Sequence, residues 1–318
     1  MARDLQRRSS MHLAPSKNPY RYPGSTDAAA LGEWYDNNRL PRNQADLKTL
    51  QALSAEVFAE TGLAATRRDL GPGEHDGIDL ILPAGAVGQV PALIFVHGGR
   101  WQLNTSRETA FWARACAQHG VAFVGLNFPP LSQARLPAMI DAVAAAVSRV
   151  VAQAPALGID ADALVFAGHS SGAHLALASV LPIAGRQAPD WVCRLRGLLL
   201  LGGMYDLEPL RLSPHQQALA LSEDESREAS PLVVLERAQA DGRRVALPPT
   251  LVAVGADETV EFVRQSRALH WALQAHLPAR WLAIEGAAHF DAALEFNREV
   301  SQLRGFVLDH LALARTPA

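Results

Sequence analysis

The chain reads as an α/β protein: a mostly parallel, doubly wound sheet with helices on both faces and a helical segment ahead of it. Three observations carry this. Short runs such as residues 92–96 (ALIFV), 163–167 (ALVFA) and 197–201 (GLLLL) are apolar throughout rather than alternating, as strands covered on both faces are. Stretches of helical period separate them, the pattern of parallel strands joined by crossovers. The first two runs each lead into a glycine-containing turn, His97-Gly98-Gly99 and Gly168-His169-Ser170-Ser171-Gly172. Strand ends of this kind are where α/β sheets carry ligands.

The elements follow in order. Residues 1–26 are polar and basic, punctuated by Pro15, Pro19, Pro23 and Gly24. They read as a flexible arm, ordered only near Tyr20 and Tyr22. Residues 27–62 read as helical with an interruption at Pro41, because Leu47, Leu50, Leu53, Val57 and Phe58 recur at helical spacing. Gly71-Pro72-Gly73 is a break. Beyond it, strands are expected at residues 78–82, 92–96, 121–127, 163–167, 197–201, 251–255 and 281–285. Helices are expected at residues 106–119, 137–153, 172–181, 260–276 and 292–314, the first capped by Ser106 and closed by Gly120. The polar, charged residues 207–228 read as a mobile surface segment over the functional edge of the sheet. The pattern from Gly71 onward is one sheet. Residues 27–318 are therefore taken as a single domain, with 27–70 a cap-like segment over the active-site edge and 71–318 the catalytic core. Deleting residues 1–26 is expected to leave activity intact, and deleting through Gly62 to damage it.

Composition narrows the function classes. At 318 residues the chain has enough length to bury a core without disulfides or a structural metal. Hydrophobic residues at 49% and charged residues at 19% exclude wholesale disorder. Lys+Arg of 29 against Asp+Glu of 32 gives a net charge of −3, no general footprint for nucleic acid or an anionic membrane. Cys116 and Cys193 are the only cysteines, which excludes a disulfide framework and a cysteine metal cluster. They read as reduced thiols of a cytoplasmic protein. Arg3, Arg7 and Arg8 are not followed by an apolar stretch, so a secretory signal is not expected. No segment reads as long and apolar enough to span a bilayer; residues 136–147 come nearest and are broken by Asp141. Lysine occurs only at Lys17 and Lys48, which with abundant alanine suggests a GC-rich bacterial coding sequence. No P-loop, G-x-G-x-x-G or H-E-x-x-H is present, so no cofactor, nucleotide or metal is expected. A homodimer is one assembly the sequence allows.

The chemistry concentrates in three places. Gly168-His169-Ser170-Ser171-Gly172 is a G-x-S-x-G between an expected strand and an expected helix, the setting of a nucleophile elbow. Ser170 is the nucleophile candidate, and Ser171 contributes its backbone N–H. A serine hydroxyl is a weak nucleophile and needs a base. On such a sheet the order along the chain is Ser, then Asp or Glu, then His. His289, just after the last expected strand, is the base candidate; His270, His276 and His310 lie on helices. For the acid that orients the imidazole, Asp257 after residues 251–255 comes first, Asp206 second and Glu258 third. His97-Gly98-Gly99-Arg100-Trp101 is the expected oxyanion loop, offering the N–H groups of Gly98, Gly99 or Arg100 beside that of Ser171. His97 is read as a brace for that loop, and His174 as a packing residue on its helix face. Trp101, Tyr205 and Phe290 are candidates for an aromatic pocket, with Asn38 and Arg39 closing it from the N-terminal side.

Taken together, HGGRW, GHSSGAH, the Asp257 loop and the His289 loop resemble the α/β-hydrolases of the kynurenine formamidase (arylformamidase) type. The hormone-sensitive-lipase-like esterases are their near relatives. The resemblance spans about residues 30–310. Arg100 and His169 stand where the lipase-like esterases carry a third glycine and an aspartate, and Trp101 and His169 suit the formamidase type. Trp34-Tyr35-Asp36-Asn37-Asn38-Arg39 resembles that family's Tyr-Asn-Asn-Arg signature with Asp36 inserted. The resemblance implies an α/β-hydrolase fold and a triad of Ser170, Asp257 and His289. It implies a serine hydrolase acting on a small ester or amide, carboxylesterase-like, or alternatively an aryl formamidase acting on N-formylkynurenine or a related N-formyl arylamine. A non-catalytic ligand-binding protein on the same fold is the other alternative. Arg100 departs from the family pattern, either pairing an anionic group in the pocket or pointing outward.

Overall fold

The computed structural model describes residues 18–24, 27–60, 63–183 and 185–313. Among them, eight strands form one sheet in the order β1-β2-β4-β3-β5-β6-β7-β8. These are β1 (Ala64–Asp69), β2 (Gly77–Leu82), β3 (Val90–Val96), β4 (Ala122–Leu126), β5 (Ile159–His169), β6 (Leu195–Leu201), β7 (Thr250–Gly255) and β8 (Arg280–Ile284). β2 runs antiparallel to both of its neighbours, β1 and β4, and the other pairings are parallel. The mostly parallel sheet expected from the apolar runs is therefore present. β1 has no apolar run, since only one of its residues is even partly buried. It is an exposed antiparallel edge that burial patterning does not mark.

Alternate residues of each central strand serve opposite layers. Ile94, Val96, Leu164 and Phe166 point into one apolar cluster, and Leu93, Phe95, Val165 and Ala167 into the other. The first layer is covered by α4 (Leu136–Leu157), α5 (Ser171–Val180), α9 (Pro231–Ala240) and α10 (Val260–Leu273). The second is covered by α2 (Pro41–Ala59), α3 (Ala113–Gln118), α11 (His289–Leu294) and α12 (Gln302–Leu313). The remaining helices are short: α1 (Ala28–Trp34), α6 (Glu208–Arg211), α7 (Gln216–Leu219) and α8 (Glu223–Glu228).

Three expected helices come out differently. Residues 106–119 hold a 3-10 turn, Arg107–Thr109, and then the short α3, because the Ser106 side chain does not cap and instead donates to buried Asp79. Residues 292–314 divide into α11 and α12, separated by a turn in which Glu295 accepts from Ser301 and from the amides of Gln302 and Leu303. The helix expected at 137–153, which contains most of the apolar stretch 136–147, is longer, running 22 residues from Leu136 until Gly158 takes a left-handed conformation. By length and hydropathy alone α4 is thus able to cross a bilayer, which corrects the reading that no segment reaches that length. Its apolar stripe (Met139, Ile140, Val143, Val147, Val150, Ala154, Leu157) is buried in the layer over the sheet.

Residues 1–17 and 25–26 of the expected arm lie outside the described residues. Residues 18–24 pack on the body. Arg21 donates to buried Asp206 at 2.9 Å and pairs with Glu236 at 3.2 Å, and Asn18 donates to the Ala268 carbonyl.

Candidate active site

The site lies at the carboxyl ends of β3, β5, β7 and β8. The chain leaves β3 toward β4 on one side and reaches β5 on the other, so the loops after β3 and β5 part above neighbouring strands. That crevice is where open α/β sheets bind ligands. β5 ends at His169 and α5 begins at Ser171. Between them Ser170 is held at φ 57°, ψ −128°, a backbone region costly for a residue with a side chain. Its amide donates to the Leu201 carbonyl of β6 at 2.9 Å. A Cβ on Gly172 would overlap the carbonyl oxygens of Val96 and His97, so only glycine lets α5 approach β3 this closely.

His289 opens α11 and is buried. Its Nδ1 lies 2.7 Å from Oε2 of Glu258, whose side chain is also buried. The other carboxylate oxygen of Glu258 accepts from the Gly255 amide at 3.0 Å, locking the turn after β7. The expectation that Asp257 orients His289 is therefore corrected. The Asp257 amide is bonded to the Ala287 carbonyl, and its half-exposed side chain turns away to Arg42 at 2.9 Å. Asp206, the second acid candidate, is held by Arg21 instead. Room for Glu258 comes from Gly202, at φ 53°: a Cβ there would lie 2.9 Å from Glu258 Oε1 and 3.3 Å from His289 Nδ1. His169 adds a second support, its Nε2 donating to the His289 carbonyl at 3.1 Å. Burial and the adjacent His289 ring hold the His169 pKa well below 6.5, so it stays neutral.

The HGGRW loop leaves β3 and passes over Ser170. A Cβ on Gly98 would sit 3.0 Å from the Ser170 Cβ. Arg100, Trp101 and Asn104 all have positive φ (56°, 59° and 72°), a concentration of strain of the kind found at functional sites. His97 donates from Nδ1 to the Gly98 carbonyl at 2.9 Å and stacks on Phe128. Burial lowers its pKa to about 4. Asn104 Nδ2 donates to the same carbonyl at 3.2 Å. The Trp101 amide is bonded to Ser171 Oγ at 3.2 Å. Among the described residues, the amides of Gly98, Gly99, Arg100 and Ser171 have no acceptor within the protein. Free N–H groups at a loop and a helix N-terminus suit a developing negative charge.

Ser170 and His289 face one cleft of about 510 Å³. Trp101 and Phe290 line it as expected, beside Tyr35, Phe111 and Phe262. Tyr205 does not: it is fully buried, its ring packed against Gly203. Arg39 is also absent from the cleft, since it pairs outside with Glu33 at 2.6 Å. The Asn38 side chain lies outside the described residues. Arg100 stands at the cleft mouth, 44% exposed, with Asp36 at 3.6 Å.

Comparison with known proteins agrees with this architecture. A family model described as BD-FAE matches residues 78–184. A crystal structure from Silicibacter sp. TM1040, provisionally named a thioesterase, superposes with a TM-score of 0.74 at 22% identity, covering 88% of this chain and 99% of its own. The chain has the α/β-hydrolase fold. A kynurenine formamidase of Danio rerio is 28% identical over 227 residues, 71% of this chain and 74% of its own. An isoprenylcysteine alpha-carbonyl methylesterase of Arabidopsis thaliana is 25% identical over 232 residues, 69% of this chain and 54% of its own. The esterase group of the α/β-hydrolases is thus where this chain's similarities lie.

Several cleft residues carry no motif. Leu47, Leu50 and Gln51 of α2 form one wall, and Leu210, His215 and Leu219 form another. The helical spacing of Leu47 and Leu50 marks a packing face but not what it packs on. Residues 207–228, read as a mobile polar segment, fold into α6, α7 and α8; residues of α6, α7 and the turn between them line the cleft, and α8 beyond them opens with a capping box of Ser222 and Glu225. That box is a signal the sequence contains.

Proposed function

We propose that this hydrolase cleaves a small carboxylic ester or amide through an acyl-enzyme on Ser170. The observation that carries the reading is the buried Glu258–His289 pair at 2.7 Å in a cleft shared with Ser170 at a strained turn. In this reading Ser170 Oγ attacks the substrate carbonyl carbon while His289 Nε2 takes its proton. Glu258 fixes the tautomer with Nε2 free and stabilises the imidazolium. The oxyanion rests on the amides of the Gly98–Arg100 loop and of Ser171. Collapse breaks the bond to the alcohol or amine, which leaves with the proton from His289. Water then attacks the acyl carbon with His289 again as base, releasing the acid and Ser170. The relatives named above, a formamidase and a methylesterase, support hydrolysis of this general kind.

The narrower reading is an aryl formamidase. The ring-lined cleft favours it, since Tyr35, Trp101, Phe111, Phe262 and Phe290 surround a volume of a size that holds small aromatic ligands. Rates on N-formylkynurenine and p-nitrophenyl acetate, measured for the wild type and Ser170→Ala, test both. Loss of at least about 10³-fold on every cleaved substrate is expected for Ser170→Ala. Unchanged activity in that variant overturns the proposal. An inert formamide with a cleaved ester rejects the narrow reading alone.

A further inference from the structure

The strained loop over Ser170 is tied to α5 at one residue, Trp101. Its backbone N–H donates to Ser171 Oγ at 3.2 Å. Its indole Nε1–H donates to His174 Nδ1 at 3.3 Å, with the rings edge to face at 5.3 Å. His174 Nε2 in turn donates to the Ala229 carbonyl at 2.9 Å, in the turn between α8 and α9. Because Nε2 has a carbonyl as its partner, it must carry the proton, and Nδ1 must be the acceptor. His174 and Ser171 are fully buried and Trp101 nearly so. Ser170, Ser171 and His174 therefore lie within one turn of α5. That helix presents the serine at its start and holds the oxyanion loop from its next turn.

We propose that His174 is a positioning residue: it sets the oxyanion loop through the Trp101 indole and couples that loop to the segment covering the cleft. The inference rests on the serine-hydrolase reading above. Positive φ at both Arg100 and Trp101 means the loop is not at its own backbone minimum. Something outside the loop must hold it: the Leu131 amide donates to the Trp101 carbonyl at 2.8 Å, and the side-chain hydrogen bonds that tie the loop to α5 are the two from Trp101. Burial lowers the His174 pKa to about 4, so Nδ1 remains an acceptor at neutral pH. Without the acceptor, the indole N–H is left buried and unpaired, and the loop relaxes toward unstrained dihedrals. The amides then miss the oxyanion by a fraction of an ångström to an ångström, which costs turnover more than substrate binding.

The test uses p-nitrophenyl acetate kinetics and inhibition by a boronic acid, which mimics the tetrahedral state. His174→Leu is expected to lower kcat by roughly 10- to 100-fold with KM within about 2-fold, and to weaken the boronate by a like factor. His174→Asn, whose amide oxygen replaces the Nδ1 acceptor, is expected to recover most of kcat. Should His174→Leu not fold, Trp101→Phe removes only the indole donor and is expected to lose kcat similarly. Equal loss in the Leu and Asn variants, or a fall in melting temperature with kcat unchanged, overturns the proposal. Ser170→Ala run in parallel separates the two failures: if that variant stays active, the hydrolase reading falls first. If it is dead while His174→Leu keeps wild-type kcat, only the positioning role falls.

Discussion

Glu258 and Asp257 are neighbours in the chain with opposite surroundings. Glu258 is enclosed between Gly202, the Gly255 amide and His289, whereas Asp257 shares solvent with Arg42. Removing the buried charge while keeping the shape should therefore cost far more than doing the same to the exposed one. Glu258→Gln is expected to lower kcat on p-nitrophenyl acetate by on the order of 10³–10⁴, since an amide can hold the wrong tautomer. Asp257→Asn is expected to stay within about 3-fold of wild type, because an exposed ion pair contributes little. The reverse ranking would show that His289 takes its acid from Asp257. The sequence placed both carboxylates in the right loop but not their directions. Those depend on the Asp257 amide meeting Ala287, 30 residues away, and no local pattern encodes that contact. By contrast the places of Ser170 and His289 in the fold were legible, because Ser170 directly follows the apolar run of β5 and His289 the short turn after β8.

Among the elements, α5 has the tightest seat. Gly172→Ala places a methyl group against the backbone of Val96 and His97, where no side chain can yield. It is expected to destabilise the fold by about 3 kcal/mol, measured by urea unfolding. A change under about 0.5 kcal/mol would mean that α5 and β3 are not in this contact. The N-terminal segment gives a second test. Deleting residues 1–17 is expected to leave the melting temperature unchanged, whereas extending the deletion to residue 24 strips buried Asp206 of Arg21 and lowers it. Equal stability of the two truncations would contradict that docking. The central strands were legible because burial on both faces makes them apolar throughout. The exposed edge β1 and the four helices between residues 208 and 240 were not. β1 is placed by its pairing with β2 and α8 by its capping box, while α6 and α7 are single turns too short for a periodic pattern and α9 buries only Leu232, Leu235 and Ala238 beyond its Pro231.

Across the whole molecule, three neutral imidazoles are buried around the site. His97 and His174 have pKa values lowered to about 4 by burial, and His169 is lowered further by His289. In the unfolded chain each protonates near its ordinary value of about 6.5. Between about pH 6.5 and 4 the unfolded state therefore binds more protons than the folded one. Stability falls as pH drops through that window, by up to about 1.4 kcal/mol per pH unit for each histidine. Melting temperature should decline from pH 6.5 toward 4, and His97→Asn should flatten the slope. A flat wild-type profile over that range would contradict the burial of these rings as neutral species. The same enclosure keeps the proposed catalytic pair dry, which makes a covalent adduct the most direct evidence of what the cleft does. The deciding measurement is intact-protein and peptide mass spectrometry after treatment with a fluorophosphonate. One adduct per chain is expected, on the peptide bearing Ser170, lost in Ser170→Ala and strongly slowed in Glu258→Gln. An enzyme that hydrolyses esters with no adduct, or with the adduct on another residue, would contradict that expectation.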